Sequence, residues 1–316
     1  MSTPQAALLP GNRLHLQHGP IDLVIAAEGP PGAREAAFDA ARRRFATILE
    51  ELVAELPALR RPPDGGAFTG PTARRMAAAV APFRDVFITP MAAVAGAVAE
   101  EVQAAMLAAA PLERAWVNNG GDIALHLPPP ARGAKRPGQR PPAPQAGASA
   151  PTTGGRRPLS CPTFTIAIAA PNAAPLGTIS IAPENPVRGI ATSGRGGRSL
   201  SLGVADCVTV LARSAASADA AATLIANAVD LPGHPAIARR PAHVLQPDSD
   251  LGAREVVTGL GHLGDDEIAA ALARGTACAR RMLARGLIHS AALFLRGRHR
   301  IAGPWPQLRR EEKEHA

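Results

Sequence analysis

The chain has 316 residues, of which 46% are hydrophobic and 19% charged, so it is long and apolar enough to bury a sizeable core. Aromatic residues make up only 3% and tyrosine is absent, which argues against a nucleic-acid surface built on stacked rings. The net charge of +8 suits anionic ligands, although a general use of arginine would also produce it. Three widely spaced cysteines without a CxxC pair fit a reducing compartment and exclude a zinc site of that pattern.

No segment predicts secretion or a membrane span. Residues 1–10 lack the basic start and long apolar run of a secretory signal. The longest apolar candidate, residues 91–110, is rich in alanine and interrupted by Glu100, Glu101 and Gln103. We therefore expect a cytoplasmic protein without membrane or nucleic-acid partners.

The first elements are predicted to be a hairpin and a long helix. Residues 13–26 alternate polar and apolar residues around a Gly-Pro pair, as two antiparallel strands do. Residues 32–56 place their apolar positions at helical spacing. Residues 57–71 are rich in proline and glycine, which predicts a loop.

A second helix is predicted from Thr89 to residue 110. Threonine is a common N-cap, and proline, here Pro90, is favoured at the first helical position. Two short strands, at residues 115–117 and 123–127, are expected to follow on either side of an Asn-Asn-Gly-Gly-Asp turn.

Residues 128–158 form a low-complexity segment of proline, glycine, alanine and arginine. The segment has almost no large apolar side chains, so we expect a disordered insertion that buries no core. Its flanks, residues 122–127 and 163–169, are candidates for neighbouring strands of one sheet. We expect residues 1–308 to form a single domain and the charged tail 309–316 to be frayed.

The centre of the chain is rich in predicted strands at hairpin-scale spacing, which favours an antiparallel sheet. These strands cover residues 163–169, 178–181, 189–192, 199–202 and 208–212. Helices at 217–229 and 265–285 and a strand at 288–296 are predicted to follow. The elements do not alternate as βαβ units, so the expected fold class is α+β, with largely antiparallel sheets packed with helices.

The turn from Asn118 through Asn119, Gly120 and Gly121 to Asp122 is the first candidate binding element. Glycine turns of this kind are common in hairpins that have no ligand. The functional alternative is that backbone amides and the Asp122 carboxylate bind a polar molecule.

Residues 190–198 combine hydroxyls, glycines and two arginines, without matching the Walker pattern or GxGxxG. Thr192, Ser193 and Gly194 offer hydroxyls and accessible amides, while Arg195 and Arg198 offer planar forks of donors. Together they could form an anion nest. The alternative is a surface turn with solvated arginines.

Asp219 and Thr223 lie four residues apart and therefore on one face of a predicted helix. Both supply oxygen ligands of the kind that Mg²⁺ takes. Alternatively, Ser217 is the N-cap and Asp219 only offsets the helix dipole. The histidines show no metal-ligand spacing and no Ser/His/Asp arrangement is present, so the catalytic residues stay unassigned.

Five motifs occur in an order that resembles a known superfamily. They are TPMAAVAG at 89–96, VNNGGDI at 117–123, IATSGR at 190–195, VTVLA at 208–212 and ADAAAT at 218–223. Their combination is similar to the ApbE superfamily of FAD:protein FMN transferases, and closest to a shorter, soluble branch. The resemblance covers residues 88–227 apart from the insertion, and QPDSDLG at 246–252 is similar to the same branch.

The resemblance implies an ApbE-like fold that binds a flavin, FAD or FMN, together with Mg²⁺. Residues of the turn and of the loop would line the flavin, namely Asn119, Gly120, Gly121, Asp122, Thr192, Ser193, Gly194, Arg195 and Arg198. Asp219 and Thr223 would be the metal ligands beside the pyrophosphate. FMN would pass from FAD to a Thr or Ser hydroxyl of an acceptor protein.

The chain departs from the transferases in two motifs. Ala95 stands where their Ala-Lys-Gly motif has lysine, and residues 199–206 replace a histidine-containing segment that ends in Asp-Pro. Their lipoprotein signal is also missing. Three hypotheses stay open: a flavin- or nucleotide-binding protein with Mg²⁺-dependent FMN transfer, a non-catalytic accessory protein with the same fold, and an enzyme acting on another anionic metabolite.

Overall fold

The structure is a computed structural model that describes residues 3–63, 66–128, 163–168, 177–197 and 199–305. All but the first residue of the predicted insertion 128–158, and the whole tail 309–316, lie outside the described residues. The strands are β1 (Gln5–Leu9), β2 (Arg13–His18), β3 (Ile21–Glu28), β4 (Arg114–Asn119), β5 (Asp122–His126), β6 (Phe164–Ile168), β7 (Gly177–Ile181), β8 (Gly189–Ser193), β9 (Cys207–Ala212), β10 (Ile237–Pro241), β11 (Glu255–Leu260), β12 (Ser290–Leu295) and β13 (Arg298–Ala302). The helices are α1 (Ala33–Ala54), α2 (Leu56–Leu59), α3 (Pro71–Val80), α4 (Val94–Ala109), α5 (Ala215–Ala228), α6 (Ala242–Leu245) and α7 (Asp265–Ala284), with 3-10 turns at Ala81–Phe83 and Pro90–Ala93.

Nine strands of the described residues form one sheet in the order β1-β2-β3-β4-β5-β8-β9-β12-β13. Every neighbouring pair in this sheet is antiparallel. Two small antiparallel sheets stand apart from it, β6 with β7 and β10 with β11. The predicted α+β class with largely antiparallel sheets is therefore confirmed.

Alanine-rich helices cover one face of the large sheet. Helix α1 packs on β2 and β3, α4 on β4 and β5, α5 on β8 and β9, and α7 on β12 and β13. Small side chains let the backbones approach closely at the start of α5. A Cβ atom added to Gly189 would lie 2.1 Å from the Ala215 nitrogen, and one added to Gly96 would lie 2.3 Å from the Ala215 oxygen. The start of α5 is thus packed tightly between β8 and α4.

A second apolar cluster joins the large sheet to the hairpin β6–β7. Ile190 and Leu211 of the sheet pack in it with Phe164 and Ile179 of the hairpin. The expectation that segments 122–127 and 163–169 are neighbouring strands is therefore wrong. The physical reason is that β8 occupies the edge of β5, so β6 pairs with β7 instead.

Two further expectations about secondary structure are corrected. Residues 199–202 form no strand, because the Ser201 hydroxyl donates to the Gly203 carbonyl and accepts the Gly203 amide at 3.3 Å, which closes a local turn. The predicted loop 57–71 includes most of the short helix α2. Proline is compatible with the first turn of a helix, which explains why its presence did not exclude this one.

The starts of two helices also differ from the expectation. Thr89 makes no side-chain cap, because its hydroxyl donates to Asp250, and a 3-10 turn precedes α4. The N-cap of α5 is Ser214 rather than Ser217, since the Ser214 hydroxyl accepts the Ser217 amide at 3.2 Å. The other predicted helices and strands are found within a few residues of their expected ends.

Residues Pro90–Ala109 form a helical stretch that is long and apolar enough to cross a membrane by length and composition. Half of its most apolar window is buried inside the protein, where α4 contacts α1, α5 and the sheet. Glu101 on this stretch is buried between two arginines of other helices. This packing is that of a core helix.

Candidate functional site

The glycine turn between β4 and β5 is held by one hydrogen bond within the turn and by another to α4. Gly120 and Gly121 have φ angles of 65° and 113°, which favour glycine because a Cβ atom would be strained there. The Asn118 side chain accepts the Gly121 amide at 2.8 Å. Asn119 is buried, and its amide donates to the Ala95 carbonyl at 3.1 Å. The turn is therefore attached to the start of α4.

Asp122 joins this turn to the hydroxyl-rich end of β8. Its side chain is buried, and one carboxylate oxygen accepts the Thr192 amide at 3.1 Å. A Cβ atom added to Gly121 would lie 3.9 Å from the Thr192 Cβ. The structure thus brings together the turn and the loop that the sequence singled out separately.

The loop after β8 keeps its shape through backbone contacts. Gly194 is buried with a φ of 148°, and a Cβ atom there would lie 2.7 Å from the Asp206 carbonyl oxygen. The Arg195 amide donates to the Ala205 carbonyl at 2.9 Å. Thr192 is exposed, and its hydroxyl lies 3.2 Å from that of Thr209 on β9.

Arg195 is engaged by a partner that the sequence did not identify. Its Nε and Nη2 atoms donate to one oxygen of Asp206 at 3.0 and 2.5 Å. The other Asp206 oxygen accepts the Arg296 amide at 2.5 Å. The Arg195 charge is therefore partly balanced within the protein, and only Nη1 makes no hydrogen bond to the described residues. The second predicted arginine, Arg198, lies outside the described residues.

Asp219 lies on α5 and faces the start of α4. Its Oδ2 atom accepts the Gly96 amide at 3.0 Å. Burial, and next the nearby Asp122 carboxylate, raise the pKa of Asp219 well above its ordinary value. Hydrogen bonds from the Gly96 and Ala95 amides oppose this increase in pKa. Two carboxylates from distant parts of the sequence are therefore close enough for their charges to interact.

These donors fit a hard divalent cation. Like charges this close destabilise each other unless a proton or a cation lies with them. Thr223 follows Asp219 by one helical turn, and its hydroxyl makes no hydrogen bond to the described residues. No group of three His, Cys, Asp or Glu side chains clusters in the described part of the chain. A cation here would therefore need hydroxyl, backbone or ligand oxygens as well.

Ala95 and the segment 199–206, where the two transferase motifs are missing, make other interactions. Ala95 opens α4, and its carbonyl accepts the Asn119 side chain. In the segment 199–206, Ser201 closes the local turn and Asp206 pairs with Arg195. Neither place offers a side chain that could replace the lysine or the histidine.

The sequence-based reasoning missed Glu100, which organises the same site. Its carboxylate accepts the Ala216 amide at 2.9 Å in the first turn of α5. The only signal in the sequence was a pair of glutamates in a helix that is otherwise largely apolar. Glutamate side chains are mostly exposed in folded proteins, so this signal did not distinguish a structural role.

Solved structures with a similar course of chain include two flavin transferases. One is the apo form of the flavinyl transferase ApbE from Pseudomonas stutzeri, with 12% identity and a TM-score of 0.39 over 96% of this chain and 94% of that chain. The other is the flavin transferase ApbE from Vibrio cholerae, with 12% identity and a TM-score of 0.37 over 96% and 98%. At such TM-scores these similarities support no conclusion by themselves.

A protein-family model matches most of the chain. Comparison with curated proteins gave no significant match. The family model described as "AbpE bacteria" matches residues 5–135 and 159–301, which include every candidate site residue. The chain therefore belongs to the family described as AbpE bacteria.

Proposed function

We propose that this protein binds a flavin dinucleotide with Mg²⁺ at the junction of β5, β8, α4 and α5. The observation that carries the proposal is that Asp219 of α5 and the turn that ends in Asp122 both bind the start of α4: Asp219 accepts the Gly96 amide at 3.0 Å, and Asn119 donates to the Ala95 carbonyl at 3.1 Å. The resemblance of the chain's motifs to the ApbE superfamily of FAD:protein FMN transferases supports a flavin as the ligand. The binding residues are those that the sequence predicted on the turn, the loop and α5.

Each part of the site has a physical role in this proposal. Asp219 and Thr223 ligate the cation, and Asn119 holds the turn on α4. The Gly120-Gly121 turn and the Thr192-Ser193-Gly194 segment approach the flavin phosphates with hydroxyls and amides. Arg195 contributes through its Nη1 atom, with Asp206 orienting the rest of the guanidinium.

Transfer of FMN to an acceptor protein is the finer proposal. The bound cation would neutralise charge on the pyrophosphate. The residues of this chain would hold the phosphates and exclude water, while a Thr or Ser hydroxyl of the acceptor protein attacks the FMN phosphorus. The pyrophosphate bond to AMP breaks, and AMP leaves with the proton that the hydroxyl loses. No lysine stands at position 95 and no histidine in the segment 199–206, so activation of that hydroxyl is not assigned to either place.

A second candidate function is a binding protein that retains the site without transferring FMN. The specific observation that favours it is the replacement of both transferase motifs, at Ala95 and at residues 199–206. An enzyme acting on another anionic metabolite is the remaining alternative. The arrangement of residues 1–308 as one domain and the cytoplasmic location also stay predictions.

Binding of FAD with and without Mg²⁺ tests the proposal. Titration of FAD, followed by flavin fluorescence, is expected to show tighter binding with Mg²⁺ in the wild type. In Asp219→Ala the Mg²⁺-dependent part of the affinity should fall at least about 10-fold, because a metal ligand is removed. Asp265→Ala is a matched control, since this exposed aspartate forms an ion pair with Arg298 at the surface and with no other described residue.

The outcomes separate the candidate functions. Absence of flavin binding by the wild type, with or without Mg²⁺, contradicts the proposal. Release of AMP from bound FAD in the presence of cell proteins, with flavin attached to one of them, supports the transferase. Stable binding without AMP release supports the binding protein.

A further inference from the structure

Each of the helices α4 and α5 carries a carboxylate that accepts a backbone amide at the start of the other helix. Asp219 of α5 accepts the Gly96 amide of α4 at 3.0 Å. In return, Glu100 of α4 accepts the Ala216 amide of α5 at 2.9 Å. The first turn of a helix has amides without intrahelical partners and a partial positive charge, so each carboxylate stabilises the other helix.

The contact between the helices leaves little freedom at this point. Gly96 touches the backbone of Ala215, where even one added carbon atom would lie 2.3 Å from the oxygen. The Glu100 hydrogen bond lies one helical turn further along α4. The backbone contact and this bond together fix how far α5 extends towards the site and how it is rotated about its axis.

The Glu100 carboxylate is also oriented by an arginine of α3. Its second carboxylate oxygen lies 3.6 Å from Arg75 of α3, and its side chain is 16% exposed. The neighbouring Glu101 shares Arg75, at 2.8 Å, but its other partner is Arg44 of α1 at 2.9 Å. Both glutamates therefore contact α3, whereas only Glu101 accepts a hydrogen bond from α1 and only Glu100 accepts one from α5 among the described residues.

We propose that Glu100 is a positioning residue for the cation site, acting through the start of α5. This inference rests on the proposed function, since it concerns the same cation. Ala216 precedes Asp219 by three residues and Thr223 by seven. All three lie along one side of α5, so a tilt or fraying of the first turn displaces both ligands together. Glu100 contacts neither cation nor flavin.

The test compares Glu100 with its neighbour. Mn²⁺ binding, followed by the loss of its free-ion electron paramagnetic resonance signal, is measured for the wild type, Glu100→Ala, Glu100→Gln and Glu101→Gln. Glu100→Ala should weaken Mn²⁺ binding about 10-fold, as removal of partners behind metal ligands does. Glu100→Gln should stay within about threefold, because its amide oxygen still accepts the Ala216 amide.

Glu101→Gln should lower thermal stability while leaving the Mn²⁺ affinity of the folded protein unchanged. Unchanged Mn²⁺ affinity in Glu100→Ala would overturn the inference. An equal loss in Glu101→Gln would also overturn it, because the effect would then be general destabilisation.

Hydrogen exchange separates this inference from the proposed function. In Glu100→Ala the amides of residues 216–219 should exchange faster, while those of α7 should not change. If the wild type binds no Mn²⁺, the proposed function fails and so does the role of Glu100 at a cation site. Faster exchange would then still establish the contact between α4 and α5, whereas unchanged exchange would refute that contact too.

Discussion

At the scale of single residues, Asp219 combines a structural and a binding role. Its carboxylate accepts amides from the start of α4, which is a structural role. The sequence had allowed a different structural role, in which Asp219 offsets the dipole of its own helix. The proximity of Asp122 adds a repulsion that local structure does not require. Burial and this repulsion raise the pKa of Asp219, so a proton or a bound cation stabilises the pair.

Thr223 provides the most direct test of the cation site. Thr223→Val removes the hydroxyl but keeps the branched shape, and that hydroxyl makes no hydrogen bond to the described residues. We expect Mn²⁺ affinity to fall at least about 10-fold, with a free energy of unfolding within about 0.5 kcal/mol of the wild type. The affinity is measured by titration and the stability by urea unfolding.

The matched control is Thr276→Val on α7. The Thr276 hydroxyl is buried and donates to the Leu272 carbonyl at 2.7 Å, far from α5 in the sequence. This variant should keep the Mn²⁺ affinity of the wild type. Full Mn²⁺ affinity in Thr223→Val would remove Thr223 from the ligand set.

At the scale of elements, periodicity predicted those that have a strong pattern of their own. The hairpin of β2 and β3 and the helices α1, α5 and α7 were found within a few residues of their expected ends. The elements β1, β10, β11, β13, α3 and α6 were not predicted. The strands among them are only five or six residues long, and pairing with a neighbouring strand determines them, as for β13, whose Arg298, His299 and Arg300 are exposed.

The close packing of α4 on α5 makes Gly96 a sensitive position. Gly96→Ala places a Cβ atom against the Ala215 backbone, which cannot move as a side chain does. We expect a loss of about 1–3 kcal/mol in the free energy of unfolding and weaker Mn²⁺ binding, because α5 has to shift. Urea unfolding and Mn²⁺ titration measure the two effects.

Gly264→Ala serves as the comparison, because its added carbon lies 3.6 Å from the closest atom. Its loss should not exceed about 1 kcal/mol, the usual cost of alanine at an N-cap. If Gly96→Ala were as stable as the wild type and bound Mn²⁺ equally well, the backbone contact would not control the site.

At the scale of the whole molecule, partly buried ion pairs join three helices that the sequence places far apart. Glu101 of α4 accepts hydrogen bonds from Arg44 of α1 and Arg75 of α3, and Arg44 also binds Glu51. Burial pushes the pKa of Glu101 upwards, but the hydrogen bonds from Arg75 and Arg44 outweigh burial and hold the pKa below its ordinary value.

This network predicts a pH-dependent contribution to stability. Glu101→Gln should lose about 3 kcal/mol at neutral pH, at the lower end for a broken buried pair because the Arg75 side chain is 38% exposed. A carboxylate with a lowered pKa in the folded state stabilises above its unfolded pKa and stops doing so as the pH falls. The difference between variant and wild type should therefore shrink as the pH drops through and below the usual carboxyl range.

Urea unfolding at a series of pH values measures this difference. The surface pair Arg298–Asp265 is the control, since both side chains are more than half exposed. Asp265→Asn should change stability little at any pH. A Glu101→Gln difference that is constant with pH would show that shape, rather than charge, accounts for the loss.

The sequence by itself determined the α+β class, the main helices and the family, because these depend on local periodicity and on the order of short motifs. It also identified the turn at Gly120-Gly121, the segment at Thr192 and the helix carrying Asp219, but only as separate candidates. The tertiary structure alone decided that Asp219 binds the Gly96 amide, that Asp206 pairs with Arg195, and that Glu100 binds the Ala216 amide of α5. These contacts join residues up to 123 positions apart, and no local pattern encodes which distant backbones will touch.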